Sequence, residues 1–171
     1  DMMTFSPYKV FGPHLGVLYL SDEMRDTLTP PRLEFFEKGD TVNWEPGTQN
    51  HEAIHAWGGT FRYFEDLSKE MKLEGTERER WQKLFDAFGE HEKALGQKLI
   101  DGLTNLGAII YGLPSINGRT ATVSMNLRDL SAETIATHLG NEGVAVANGH
   151  YYAYTIMMKT LGLEARGGAV R

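Results

Sequence analysis

Between residues 76 and 106 the chain carries apolar side chains at Trp81, Leu84, Phe85, Phe88, Leu95, Leu99, Leu103 and Leu106. An α-helix gathers such a pattern on one side. Thr76 and Glu79 stand in front of it at the spacing of a capping box, which marks its start. The result is a rod of about eight turns, and its stripe can leave water only against other elements. The sequence predicts several. Ile54, Trp57, Phe61, Phe64 and Leu67 form a second helical stripe over 48–67, weakened at Gly58-Gly59. Short apolar strands are predicted at 2–5, 16–20, 108–111, 121–127 and 144–147. Ser21 and Ser131 mark the starts of two further helices; the first stops at Thr29-Pro30-Pro31 and the second near Gly143. A last helix is predicted over 150–161. From the long helix onward the order is α-β-β-α-β-α, an α+β layer pattern.

Composition narrows the function classes. With 41% hydrophobic and 23% charged residues, the chain has enough apolar surface to fold rather than remain disordered. A net charge of −6 offers no basic field for phosphate backbones, so nucleic acid is not an expected partner. No apolar run approaches the roughly 20 residues that span a bilayer, and no basic stretch followed by a hydrophobic core opens the chain. No membrane association and a cytoplasmic location are therefore expected. The absence of cysteine removes disulfides, thiolate metal ligands and cysteine nucleophiles from this chain together.

Three groups of residues carry candidate chemistry. Lys9 lies between two predicted strands, among Pro7, Tyr8, Phe11 and Pro13. A restrained, partly apolar pocket there would favour a nucleophilic amine; the plain alternative is a solvated loop lysine. His51-Glu52-Ala53-Ile54-His55 matches H-E-x-x-H, in which two histidines one turn apart bind zinc and the glutamate acts as base. Gly58 extends that match, but Phe61 stands where a third histidine is needed, and a pair of solvated or interface histidines is the plainer reading of the pattern. Gly47-Thr48, read as the start of the same helix, offers N–H groups, a hydroxyl and a positive dipole end to an anion. Thr48 as a simple cap is the alternative.

Ser6-Pro7-Tyr8-Lys9-Val10-Phe11-Gly12-Pro13, continuing to Gly16-Val17-Leu18-Tyr19, resembles the lysine segment S-x-H-K-x-x-G-P…G-x-L-Y of class V aminotransferases. About thirty residues on, Glu45-Pro46-Gly47-Thr48-Gln49-Asn50 is similar to that family's E-x-G-T-x-N segment. The stretch from Glu142 to Ala153 resembles the strand and loop that carry R-x-G-x-H-C-A in the related cysteine desulfurases. Fold-type-I enzymes dependent on pyridoxal 5'-phosphate are thereby implied, with transferase or lyase chemistry on a small amino-acid substrate and a homodimeric assembly.

Carried across, the resemblance implies that Lys9 is the Schiff-base lysine and Ser6 a phosphate contact. Gly47-Thr48 would complete the phosphate site across the dimer, and Arg171 would bind the substrate carboxylate. It implies a boundary near residue 47, with 1–47 closing the large cofactor-binding domain and 48–171 forming the small α+β domain with its leading helices. Departures accompany it. Tyr8 replaces the histidine before the lysine, Ala147 stands where desulfurases often have arginine, and Tyr152 occupies the position of their persulfide-forming cysteine. The family's phosphate loop, ring-stacking residue and ring-pairing aspartate precede the lysine and cannot lie in eight residues. A fragment inactive by itself is thus expected, with a noncatalytic dimerisation or interaction domain as the alternative and a zinc hydrolase behind it.

Overall fold

A computed structural model describes residues 1–171. The chain folds as two compact units, Asp1–Leu84 and Phe85–Arg171.

The first unit opens with an antiparallel ribbon of β1 (Met2–Phe5) and β2 (Val17–Leu20), registered Met2 against Leu20 and Phe5 against Val17. Between them Pro7–Val10 forms a 3-10 turn with Pro7 in its first positions, where a missing N–H costs nothing. Helix α1 (Asp22–Thr27) is capped by Ser21, whose hydroxyl accepts from Met24 N. Helix α2 (His51–Glu70) begins three residues later than Thr48, because Asn50 is its cap and accepts from Ala53 N at 3.0 Å. Its buried face also differs from the predicted stripe. Ala53, Thr60, Phe64 and Ser68 are buried, whereas Ile54 and Phe61 are exposed. The true face runs at spacings of seven, four and four through three small residues, and small residues leave little hydrophobic signal in a sequence.

Helix α3 (Glu77–Asn105) is 29 residues long, in line with the expected eight turns. The capping box forms as read: Thr76 N donates to Glu79 Oε2 at 2.8 Å and Glu79 N donates to Thr76 Oγ1 at 3.4 Å. Within the first unit, Trp81 stacks on Phe61 and meets Phe64 edge-on. Beside Trp81 in the sequence, Arg80 Nη2 reaches Glu65 Oε2 at 2.7 Å, which ties α3's first turns to α2.

In the second unit, β3 (Ala108–Tyr111), β4 (Ser124–Leu127), β5 (Asn148–Gly149) and β6 (Ala169–Val170) form one antiparallel sheet in the order β3-β4-β6-β5. Helix α4 (Ala132–Asn141) starts at Ser131, whose hydroxyl accepts from Thr134 N. Met125, Ala132, Ile135 and Val170 form one core cluster; Ile100, Ile116 and Val123 form a second. The mixed α+β class with antiparallel pairing is as expected.

Two expectations give way here. The strand predicted at 144–147 appears at Asn148–Gly149, because pairing with β6 sets the register Asn148 to Val170. The helix predicted over 150–161 shrinks to a π-helical Thr155–Thr160. Tyr151 and Tyr152 hold φ of 52° and 62°, left-handed conformations that no right-handed helix accepts. Beside them two glycines pinch the backbone: a Cβ on Gly168 would overlap the carbonyl of Gly149. On α3, Ile100 is buried, while Leu95, Leu99 and Leu106 remain 55%, 47% and 61% exposed.

Candidate active site

Lys9 sits inside the 3-10 turn, and local bonds fix that turn closely. Lys9 N donates to Ser6 O at 3.0 Å and Gly12 N donates to Pro7 O at 2.9 Å. Phe11 closes the turn at φ 62°, and its carbonyl accepts from Thr60 Oγ1 of α2 at 3.3 Å. Its ring lies near those of Tyr63 and Phe64 on the same helix. A left-handed phenylalanine is strained, and these contacts from α2 hold it.

An open cavity of about 910 Å³ faces the turn, with Ser6, Lys9, Gly47 and Thr48 all on its wall. Four of the five residues that the resemblance assigns to cofactor and substrate therefore line one cavity. Ser6 precedes the turn in extended conformation and makes no side-chain capping bond, so its hydroxyl is not consumed locally. Gly47 and Thr48 are exposed, and Gln49 Nε2 donates to the Gly47 carbonyl at 3.2 Å. Since α2 starts at His51, Thr48 neither caps the helix nor stands at its dipole end; what it offers is a hydroxyl and a loop backbone. Trp44 and Glu45 also line the cavity. No sequence signal marked Trp44, and Glu45 was visible only as the first residue of a motif. Lys9 itself is exposed, so this chain forms no enclosed apolar pocket around it, as the plain reading of a solvated loop lysine has it.

Two rings stand beside the lysine. Tyr8 stacks on His14 with centroids 4.7 Å apart and planes 19° from parallel. Lys9 Nζ lies 5.7 Å from the Tyr8 ring centroid, within cation–π range.

Arg171 belongs to the second unit. It follows β6, and its backbone exchanges two hydrogen bonds with Ala147, at 2.8 and 3.0 Å. Its guanidinium carbon lies 4.6 Å from the Tyr151 ring centroid. The Tyr151 hydroxyl donates to Ala169 O. Burial pushes the Tyr151 phenol above its ordinary value, and the Arg171 charge pulls the other way. Tyr152, by contrast, is fully exposed. Arg171 also borders a cavity of about 670 Å³ with mostly apolar walls, including Leu99, Leu103 and Leu106 of α3.

His51, Glu52 and His55 lie exposed on the first turns of α2. No group of three histidine, cysteine, aspartate or glutamate side chains is gathered to hold a metal, so the zinc reading finds no third ligand. No helix is long and apolar enough to cross a membrane.

Comparison with known proteins identifies a family. The model of "Aminotransferase class-V" matches residues 1–171. A probable cysteine desulfurase of Staphylococcus epidermidis is 28% identical over 182 residues, covering 99% of this chain and 40% of that protein. An aminotransferase-like protein of Gibberella zeae is 28% identical over 174 residues, covering 98% of this chain and 40% of its own. The apo structure of a cysteine desulfurase from Thermococcus onnurineus superposes with a TM-score of 0.73 at 23% identity, over 99% of this chain and 41% of that one. The fold is therefore shared with part of that enzyme. The chain spans about two fifths of the length of these relatives.

Proposed function

The chain belongs to the class V aminotransferase family, and from that premise we propose that it is part of a pyridoxal-phosphate-dependent enzyme acting on an amino-acid substrate. The observation that carries this reading is the 3-10 turn that sets Ser6 and Lys9 together on one cavity wall. Their chemistry suits the cofactor, a primary amine for its aldehyde and a hydroxyl for its phosphate, and Gly47-Thr48 offer a second hydroxyl and a backbone N–H to the phosphate in the partner's site. When bound, pyridoxal phosphate supplies an electron sink for charge developing at the substrate α-carbon.

The protein's part is to hold and to move protons. Lys9 is the covalent anchor and, once its amine is free, the base positioned to carry a proton at the α-carbon. Ser6 and Thr48 hydroxyls and the Gly47 N–H hold the phosphate, with Gly47-Thr48 reaching the site of the partner subunit in a homodimer. Arg171 binds the substrate carboxylate through its planar pair of donors. With no cysteine in the chain and Tyr152 in the desulfurase position, the reaction is one that needs no thiol on this loop. Residues 1–47 are assigned to the large domain and 48–171 to the small one on the order of the motifs, a boundary that differs from the division into compact units at Leu84 and Phe85. Its location is cytoplasmic.

The test is an absorbance spectrum of the chain with added pyridoxal phosphate, followed by borohydride and mapping of the reduced adduct. A stable band with reduction confined to Lys9 supports the assignment. Scattered labelling of many lysines refutes it for this chain. A second reading, a noncatalytic interaction domain, draws on the exposed Leu95, Leu99 and Leu106 of α3, since apolar surface of that kind marks contacts with other protein; specific labelling of Lys9 would count against it.

A further inference from the structure

His14 is not on the wall of the lysine cavity, and neither is Tyr8. Yet the two are stacked at 4.7 Å, and the same Tyr8 ring has Lys9 Nζ at 5.7 Å from its centroid. The local fold explains why residues six apart meet. Gly12 N bonds to Pro7 O and Phe11 takes the left-handed conformation, so the chain doubles back and returns His14 beside the turn. Tyr8 is 47% exposed, which means core packing does not fix its ring; the imidazole stacked on it does.

We propose that His14 is a positioning residue for Lys9: stacked on Tyr8, it fixes the phenol ring whose face holds the Lys9 ammonium at the edge of the cavity. The inference deepens the reading of Lys9 as the cofactor lysine and rests on it for its significance. The family pattern has an imidazole directly before the lysine. Here Tyr8 takes that place, and an imidazole is still present but one ring removed. A quadrupolar ring face attracts an ammonium without binding it covalently, and a near-parallel ring pair resists rotation of either partner. The ammonium is therefore parked at the edge of the cavity, and it has a defined place to return to whenever the amine is released.

The test needs no cofactor. The full chain is reductively methylated with formaldehyde and cyanoborohydride, and the rate at each lysine is read by peptide mass spectrometry, with the exposed Lys38 as internal reference. A parked ammonium reacts slowly, so Tyr8→Leu raises the Lys9-to-Lys38 ratio by roughly two- to fivefold, the range an exposed cation–π contact supports. His14→Ala gives the same rise. His14→Phe, which keeps a stacking ring, retains the original ratio, and His14→Ala adds nothing on a Tyr8→Leu background. A purely structural role for His14 would not be rescued by phenylalanine and would not depend on Tyr8. An unchanged ratio in His14→Ala, or a His14→Phe variant that behaves like alanine, overturns the proposal. If His14→Ala does not fold, as judged by circular dichroism, the Tyr8→Leu and His14→Phe results decide it alone. Failure of pyridoxal phosphate to attach at Lys9 with this methylation pattern intact would instead remove the cofactor reading and leave the positioning role standing.

Discussion

Replacing Gly12 by alanine tests how tightly the lysine turn is built. A Cβ at position 12 would lie 2.7 Å from Pro7 Cβ, 2.9 Å from Pro7 O and 3.0 Å from Pro7 C. Carbon atoms prefer about 3.5–4.0 Å, so the first contact is short by about 1 Å. Pro7 is buried and two of the three atoms are backbone, so the neighbour cannot rotate away. Relief requires opening the turn, which gives up the 2.9 Å bond from Gly12 N to Pro7 O, a loss of about 1 kcal/mol. Residual overpacking adds about 1–3 kcal/mol, and the lower chain entropy of alanine in the unfolded state returns about 0.4–1 kcal/mol. The net loss is about 2 kcal/mol, or a fall in melting temperature of about 4–8 °C for a chain of this size. The matched control is Gly16→Ala, four residues on, where an added Cβ meets nothing within 4 Å and the melting temperature should stay or rise slightly. Thermal unfolding followed by circular dichroism compares the two. Identical melting of Gly12→Ala and Gly16→Ala would refute the steric reasoning.

Two further outcomes follow from named contacts. The hydrogen bond from Arg80 holds the Glu65 carboxyl below its ordinary value of 4.5. A carboxyl lowered in the folded state stabilises above its unfolded value and loses that contribution as pH falls through the folded one. Acid unfolding of Glu65→Gln should accordingly show a shallower pH dependence below about pH 4.5 than the parent chain, and equal slopes would remove the pair from the explanation. In the proposed homodimer, mixing Lys9→Ala with Thr48→Val subunits should restore about one quarter of the parent's Lys9-trapped cofactor, because half the dimers are mixed and each holds one intact site. No recovery on mixing would place Thr48 in the site of its own subunit.

What the sequence disclosed most faithfully was local. Ser21, Ser131 and the Thr76–Glu79 pair each act on a backbone group three residues away, so neighbours in sequence contain the whole interaction. The hairpin around Lys9 was legible for the same reason. What escaped depends on distant partners. Strand β5 exists because Asn148 meets Val170, and nothing near residue 148 announces that register. The left-handed Tyr151 and Tyr152 ended a helix that apolar spacing predicted, since tyrosine carries no warning of positive φ. On α2 the buried Ala53, Thr60 and Ser68 are too small to register as a stripe, and the more hydrophobic Ile54 and Phe61 drew the prediction toward themselves. At the site, motif resemblance named Ser6, Lys9, Gly47 and Thr48, and the cavity they share comes from the return of 44–49 to the ribbon.

The glycine pinch has a consequence for how this loop can change over time. Position 168 combines φ of 95° with a backbone carbonyl where its Cβ would lie, so mutation there is closed to every other residue. Three residues beyond Gly149, Tyr152 projects fully into solvent and anchors nothing. The scaffold of the loop is thus written in main-chain atoms that cannot vary, and its chemical identity in one side chain that can. Such a division lets the residue at 152 change without refolding the strand that precedes it.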